Sequence, residues 1–222
     1  MLINNTKKFI FIHIPKAAGT TVTHFFTEYS TCRDIEIGGT KIGELLQPHY
    51  RQRYGLSKHS TIDEIDKAIG SDALKDFFIF SFVRNPYHRV ISIFKFLRKW
   101  KGWAGHDCIN NYKDINDFIN SDLFSTQGPD RIFNPQSFWI KKGDSKKIEV
   151  NYIGKVENIE NSLNELMQLF RLPKVIGKVE VKNESRIVST NQDLNLELSR
   201  NSLDLLNLRY AMDFKLFGYE QL

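Results

Sequence analysis

Two stretches carry residues whose types and order suit phosphate chemistry. The first, Ile14-Pro15-Lys16-Ala17-Ala18-Gly19-Thr20-Thr21, has small residues where a backbone must approach a ligand and a lysine that adds a point charge. Amides at a helix start, the positive end of its dipole and the Thr20 and Thr21 hydroxyls would together surround a phosphate. The order departs from a Walker A loop, in which the lysine follows the glycines, because Lys16 precedes the only glycine of this turn. The second stretch, Phe82-Val83-Arg84-Asn85-Pro86-Tyr87-His88-Arg89, closes an apolar run and is followed by Ser92. Arg84 offers a forked donor set that matches phosphate oxygens, and Ser92, on the first turns of the next helix, could close on the same group. Two phosphate sites at adjacent strand ends suit a nucleotide with two separated phosphates.

The elements that must position these residues follow from periodicity. Phe9 to Ile14 and Phe77 to Val83 are short continuous apolar runs, the pattern of buried parallel strands, and each ends at Pro or Asn-Pro. Behind the first, Val22, Phe25, Phe26 and Tyr29 fall at helical spacing; behind the second, Val90, Ile91, Phe94 and Leu97 do the same. Between them, Thr61 and Glu64 form a capping-box pair ahead of Ile62, Ile65 and Ile69, with Gly70 as a stop. A strand-like stretch, Val150 to Val156, and helices carrying Ile159, Leu163, Leu166 and Phe170, then Leu203, Leu206 and Tyr210, complete the alternation. The pattern predicts an α/β fold with a P-loop-like central parallel sheet flanked by helices, one domain over residues 1–222. Periodicity is lost over about residues 99–147, which reads as an irregular, function-bearing insert.

Composition narrows the class. The 222 residues are 41% hydrophobic and 26% charged, too apolar for a disordered chain and too polar for a membrane protein. The apolar stretch near the N-terminus is short, interrupted by His13 and stopped by Pro15, which fits neither a signal peptide nor a membrane span. Cys32 and Cys108 are the only cysteines, too few for a disulfide framework or a cysteine-rich zinc site, so a reducing compartment is expected. A net charge of +5 suits an anionic ligand but is small for a nucleic-acid-binding domain, although Arg98 to Lys101 and Lys141 to Lys147 would be its phosphate contacts. A P-loop-type kinase or hydrolase shares the strand, turn and helix logic but needs the Walker order.

Taken together, the two stretches resemble the paired phosphate-binding signatures of sulfotransferases that use 3′-phosphoadenosine 5′-phosphosulfate. Gly154-Lys155-Val156-Glu157-Asn158 and Asp213-Phe214-Lys215-Leu216-Phe217-Gly218-Tyr219 extend the likeness to the carbohydrate branch, closest to soluble bacterial relatives of the chondroitin and heparan 2-O type. The resemblance implies that Lys16, Ala17, Ala18, Gly19, Thr20 and Thr21 bind the 5′-phosphosulfate and that Arg84 and Ser92 bind the 3′-phosphate. Asn85 and Arg89 belong to the second signature, with Arg89 open to a structural role beside a neighbouring acid. Ala17-Ala18 stands where the family usually has Thr-Gly or Gly-Gly, which removes one hydroxyl and keeps the backbone role. Asn183 and Ser185 fall where the family has a polar segment near the nucleotide.

Sulfuryl transfer by such an enzyme would need Lys16 to neutralise charge on the leaving 3′,5′-bisphosphate, and a base to take the acceptor proton. Among His13, His24, His49, His59, His88 and His106, the resemblance points to His59, just before the capped helix, with His49, Glu28 and Glu44 as alternates. Arg98, Trp100, Lys101, Trp103, Arg131 and Gln136, with Lys99 and Trp139 nearby, interleave cations and aromatics as an anionic sugar chain would require. The expected partners are thus the sulfate donor and a saccharide or glycan precursor, with no metal, no nucleic acid and a cytoplasmic setting.

Overall fold

A computed structural model of the chain describes residues 1–125, 131–143, 148–173 and 197–222. In chain order it contains β1 (Leu2–Asn4), β2 (Phe9–Ile12), α1 (Gly19–Thr27), β3 (Ile35–Glu36), α2 (Lys41–Tyr54), α3 (Ile62–Ile69), α4 (Ser71–Leu74) and β4 (Phe78–Val83). Then follow α5 (Pro86–Leu97), α6 (His106–Asn110), α7 (Ile115–Ile119), α8 (Asp122–Ser125), α9 (Ser137–Ile140), β5 (Tyr152–Lys155), α10 (Ile159–Leu169) and the two helices Arg200–Arg209 and Ala211–Phe217. The described residues cluster into two compact units, one from residues 1–83, 136–143 and 148–173, the other from residues 84–125, 131–135 and 197–222.

The first unit holds a five-stranded sheet of order β3-β1-β2-β4-β5. Parallel pairing joins β2 to β4, with Ile12 opposite Ser81, and β4 to β5, with Val83 opposite Lys155. The α/β fold with parallel strands and flanking helices is therefore as the sequence indicates, but the sheet is mixed. β1 pairs antiparallel with both β2 and β3. The hairpin that creates this edge turns at Asn4 to Lys8, where the Asn4 side chain accepts the Lys7 N–H and Lys8 takes a left-handed φ of 57°.

Strand alternation puts Phe9, Phe11, Phe80 and Phe82 on one face, against Val22 and Phe26 of α1 and Leu163, Leu166 and Met167 of α10. The rings meet edge to face or offset, with Phe9 and Phe26 centroids 5.3 Å apart. Gly154 in β5 is fixed by this packing, since a Cβ there would lie 2.6 Å from the Phe82 ring. The capping box at Thr61 forms as its spacing indicates, with Thr61 Oγ1 accepting the Glu64 N–H and the Glu64 carboxylate accepting the Thr61 N–H. It pins the start of α3 and thereby the Lys58-His59-Ser60 turn before it.

The second unit is built on α5. Asn85 caps it by accepting the Tyr87 N–H, Pro86 occupies its first turn, and ten of its 12 residues are buried. Ile93, Phe94 and Leu97 pack with Trp103, Ile109, Phe118, Phe124, Phe133, Leu206, Tyr210 and Phe214 in one cluster. The described residues of the stretch expected to be irregular include the short helices α6 to α9. These helices have four or five residues, little more than a turn each, so no 3.6-residue period develops. Arg89 is structural. Its buried guanidinium donates to the carbonyls of Ile132 and Asn134, burial lowers its pKa, and Asp213 and Tyr210 lend opposing charge.

Candidate active site

The chain leaves β2 through His13 to Ala18 before entering α1. Two non-glycine residues of this crossing, Lys16 and Ala18, hold left-handed φ angles of 63° and 54°. Such angles cost about 1–2 kcal/mol each for a residue with a Cβ, so the turn keeps a conformation that local preference opposes. It ends in a helix start with no capping side chain and no acidic residue in its first turn. The first intrahelical bond runs from Val22 N–H to the Ala18 carbonyl. The positive end of α1 is therefore presented at a turn that also carries a half-buried lysine, the arrangement an anion needs.

A histidine pair is built into the same turn. His59 Nδ1 lies 2.7 Å from the His13 carbonyl oxygen. A carbonyl only accepts, so Nδ1 carries the proton and Nε2 keeps its lone pair. The two rings meet edge to face with centroids 4.7 Å apart. His13 is 3% exposed, and its ring stands where Gly19 would carry a side chain: a Cβ at Gly19 would fall 1.9 Å from His13 Cδ2 and 2.0 Å from Nε2. Behind His59, Trp139 Nε1 donates to its backbone carbonyl, and the Lys58 N–H donates to Gln47 of α2. Lys58 also pairs with Glu44 at 3.0 Å. Burial pushes the Glu44 carboxyl up, but the Gly39 N–H and the Lys58 ammonium outweigh it and hold it below the usual range.

Both imidazoles are held neutral. Burial lowers the His59 pKa to about 3, and burial followed by the facing His59 ring lowers that of His13 well below its ordinary value. In the unfolded chain both would titrate near 6.5. The unfolded state then binds more protons below that pH, so stability is full above it and falls as pH drops toward 3. The expected slope is about 1.4 kcal/mol per pH unit for each histidine that stays neutral. Urea unfolding from pH 7 to 4 should show this decline, and His59→Asn should flatten it by one such contribution. Equal slopes in both proteins would contradict the assignment.

Gly19 gives a second expectation. Gly19→Ala must displace the His13 ring, because the nearest atoms are the ring itself and not a flexible chain end. The substitution should destabilise the fold by about 1–3 kcal/mol, the usual cost of overpacking, at a position with no charge of its own. Urea unfolding of the variant tests it, and parental stability would contradict it.

The family model described as the sulfotransferase family matches residues 1–220. The chain belongs to the sulfotransferase family. The chain is also 24% identical over 203 residues to carbohydrate sulfotransferase 10 of Xenopus laevis, an alignment covering 78% of the chain and 55% of that relative. The chain thus spans about half the length of the relative it matches. No solved structure matches it.

Within this chain, the residues singled out by sequence are distributed between the two units. Lys16 to Thr21 and His59 lie in the first unit, and His59 is bonded to the turn that carries Lys16. β2 and β4 are parallel neighbours, so Ile12 and Val83 finish at the same edge of the sheet. In the second unit, Arg84 and Ser92 are 8% and 5% exposed, Arg84 immediately before the cap of α5 and Ser92 within it. Arg98, Trp100, Lys101 and Arg131 are exposed, with Arg98 5.4 Å over the Phe94 ring and Trp100 tilted against Phe96. Trp103, by contrast, is buried beside Phe133, and Gln136 is buried in the first unit, so neither presents a side chain to solvent. Asn183 and Ser185 lie outside the described residues.

Sequence reasoning does not assign His13 to the site, and it places Trp139 beside the acceptor contacts, whereas its indole N–H donates to the His59 carbonyl. The signal for His13 was its place between the strand and the turn, and it pointed equally to packing. Among the described residues no helix is long and apolar enough to cross a membrane, and no group of three or more His, Cys, Asp or Glu side chains could hold a metal ion.

Proposed function

We propose that this protein transfers a sulfuryl group from 3′-phosphoadenosine 5′-phosphosulfate to a hydroxyl of a saccharide. The observation that carries the reading is the bond from His59 Nδ1 to the His13 carbonyl, three residues before Lys16. It makes a proton acceptor and a phosphate-binding turn parts of one structure. The residues fit the donor's charges: an uncapped positive helix end with a lysine for the 5′-phosphosulfate, and buried Arg84 with Ser92 for the 3′-phosphate. The donor, when bound, supplies the sulfuryl group on a bisphosphate leaving group.

The chain's own groups then do three things. Backbone amides and the Thr20 and Thr21 hydroxyls hold the 5′ end. The Lys16 ammonium offsets negative charge as the bridging sulfur–oxygen bond breaks, and His59 Nε2 takes the acceptor hydroxyl proton as the new one forms. A base with a pKa near 3 is weak at neutral pH, and the donor's negative charges at the turn would raise it toward the working range.

Arg84→Ala should chiefly weaken binding, raising the Kd for adenosine 3′,5′-bisphosphate by about tenfold or more, because it removes a forked, largely desolvated contact. Equal affinity of variant and parent would remove the assignment. The saccharide acceptor is supported by the name of the Xenopus relative and by exposed Arg98, Trp100, Lys101 and Arg131. A reducing, cytoplasmic setting is supported by Cys32 and Cys108, both free and exposed.

The experiment is transfer of radiolabelled sulfate from the donor to desulfated glycosaminoglycans, nitrophenyl glycosides and a simple aliphatic alcohol. Label on a saccharide is expected. Label on the alcohol alone would overturn the acceptor class.

A further inference from the structure

We propose that His13 is a positioning residue for sulfuryl transfer, holding the His59 ring and the start of the phosphate turn in one fixed arrangement. The inference rests on the reading of His59 as the base.

Three contacts converge on this one residue. Its carbonyl accepts the His59 Nδ1 proton, its ring meets the His59 ring edge to face, and the same ring occupies the space above Gly19 at the first residue of α1. The ring touches the turn through atoms that only a glycine at 19 admits. Any shift of the turn on binding an anion therefore moves the His13 ring, and the His13 ring bears on the proposed base. Distance along the chain hides this coupling, since His13 and His59 are 46 residues apart.

Packing alone does not account for an imidazole here. Ile12 and Ile14 on either side are equally buried and apolar. His13 Nδ1, in contrast, is buried with no hydrogen-bond partner among the described residues. A buried orphan nitrogen is unfavourable, and an apolar ring would fill the space without it.

The charged surroundings are cationic on balance. The amino group of Met1, Lys58 and Lys16 face His13 together with His59, while the Met1 amino group, Lys58 and Glu44 face His59. Glu44, the acid among them, is already paired with Lys58. A neutral His13 can therefore lie against His59 without repulsion, and incoming negative charge at the turn would act on both rings.

The test follows the imidazole nitrogen resonances of His59 by NMR against pH, with and without adenosine 3′,5′-bisphosphate, in the parent, His13→Phe and His13→Asn. The parent should show the Nδ1–H tautomer and a nucleotide-dependent rise in the His59 pKa. In both variants that rise should shrink by at least about half a pH unit. His13→Asn keeps a small polar group and serves where the larger phenyl ring disturbs folding. Unchanged His59 tautomer and titration in a folded variant would overturn the proposal. Its failure is separable from failure of the base reading, which is instead reported by a parental transfer rate in His59→Ala.

Discussion

Lys16→Ala is expected to bind adenosine 3′,5′-bisphosphate and to be almost inert in sulfuryl transfer. The ammonium is the one cationic side chain within the crossing from β2 to α1. Its largest effect should come where negative charge builds on the bridging oxygen, so it is realised in the transition state more than in the bound ground state. Loss of one preorganised electrostatic contact of this kind lowers kcat by about 10²–10³-fold. On the proposed reading the nucleotide would keep the helix end, the hydroxyls and Arg84, so affinity should fall by no more than about tenfold. Alanine is the informative replacement because Lys16 sits at a φ of 63° and both residues carry a Cβ. The backbone strain is then unchanged, and the ammonium is removed with its aliphatic stem. Steady-state kinetics beside calorimetry checks the split, and a variant as active as the parent would remove the role.

His59→Ala is expected to lower kcat by about 10²–10⁴-fold, the usual contribution of a positioned general base. The Trp139 bond to the residue-59 carbonyl and the Thr61 capping box involve backbone groups or neighbouring residues, so they survive the truncation. His59→Gln separates proton transfer from architecture: it retains an N–H donor of similar reach and lacks a basic nitrogen, so it should fold like the parent and stay inactive. The acid limb of the pH–rate profile should disappear in both variants. A near-parental rate in His59→Ala on a good acceptor would exclude His59 as the base.

Much of the frame around these residues is written in local pattern. The apolar runs at Phe9 and Phe77, the T-x-x-E box at Thr61 and the helical spacing after each strand are short-range signals, and the corresponding elements form. What stayed hidden depends on contacts between distant positions or on elements too brief to show a period. β1 has three residues, so nothing in its length announces a strand or the antiparallel edge it brings. The helices between Lys99 and Ile140 are little more than one turn long, too short for the helical period to recur. Interleaved aromatics and cations look alike whether they line a binding face or a core. Trp103 went inward with Phe133 while Trp100 stayed 45% exposed. His59 is singled out by the family resemblance at its place before a cap, and the bond that ties it to the phosphate turn could not be read from residue order at all.

The measurement that bears most directly on the central claim is calorimetric titration of the protein with adenosine 3′,5′-bisphosphate, beside AMP and ATP with Mg²⁺. The proposed reading, in which a turn and an arginine would each hold one phosphate, predicts tight binding of the bisphosphate, much weaker binding of AMP and none of ATP. Preference for ATP with Mg²⁺, or no binding of the bisphosphate, would contradict the account and return the chain to a phosphotransfer or nucleic-acid reading.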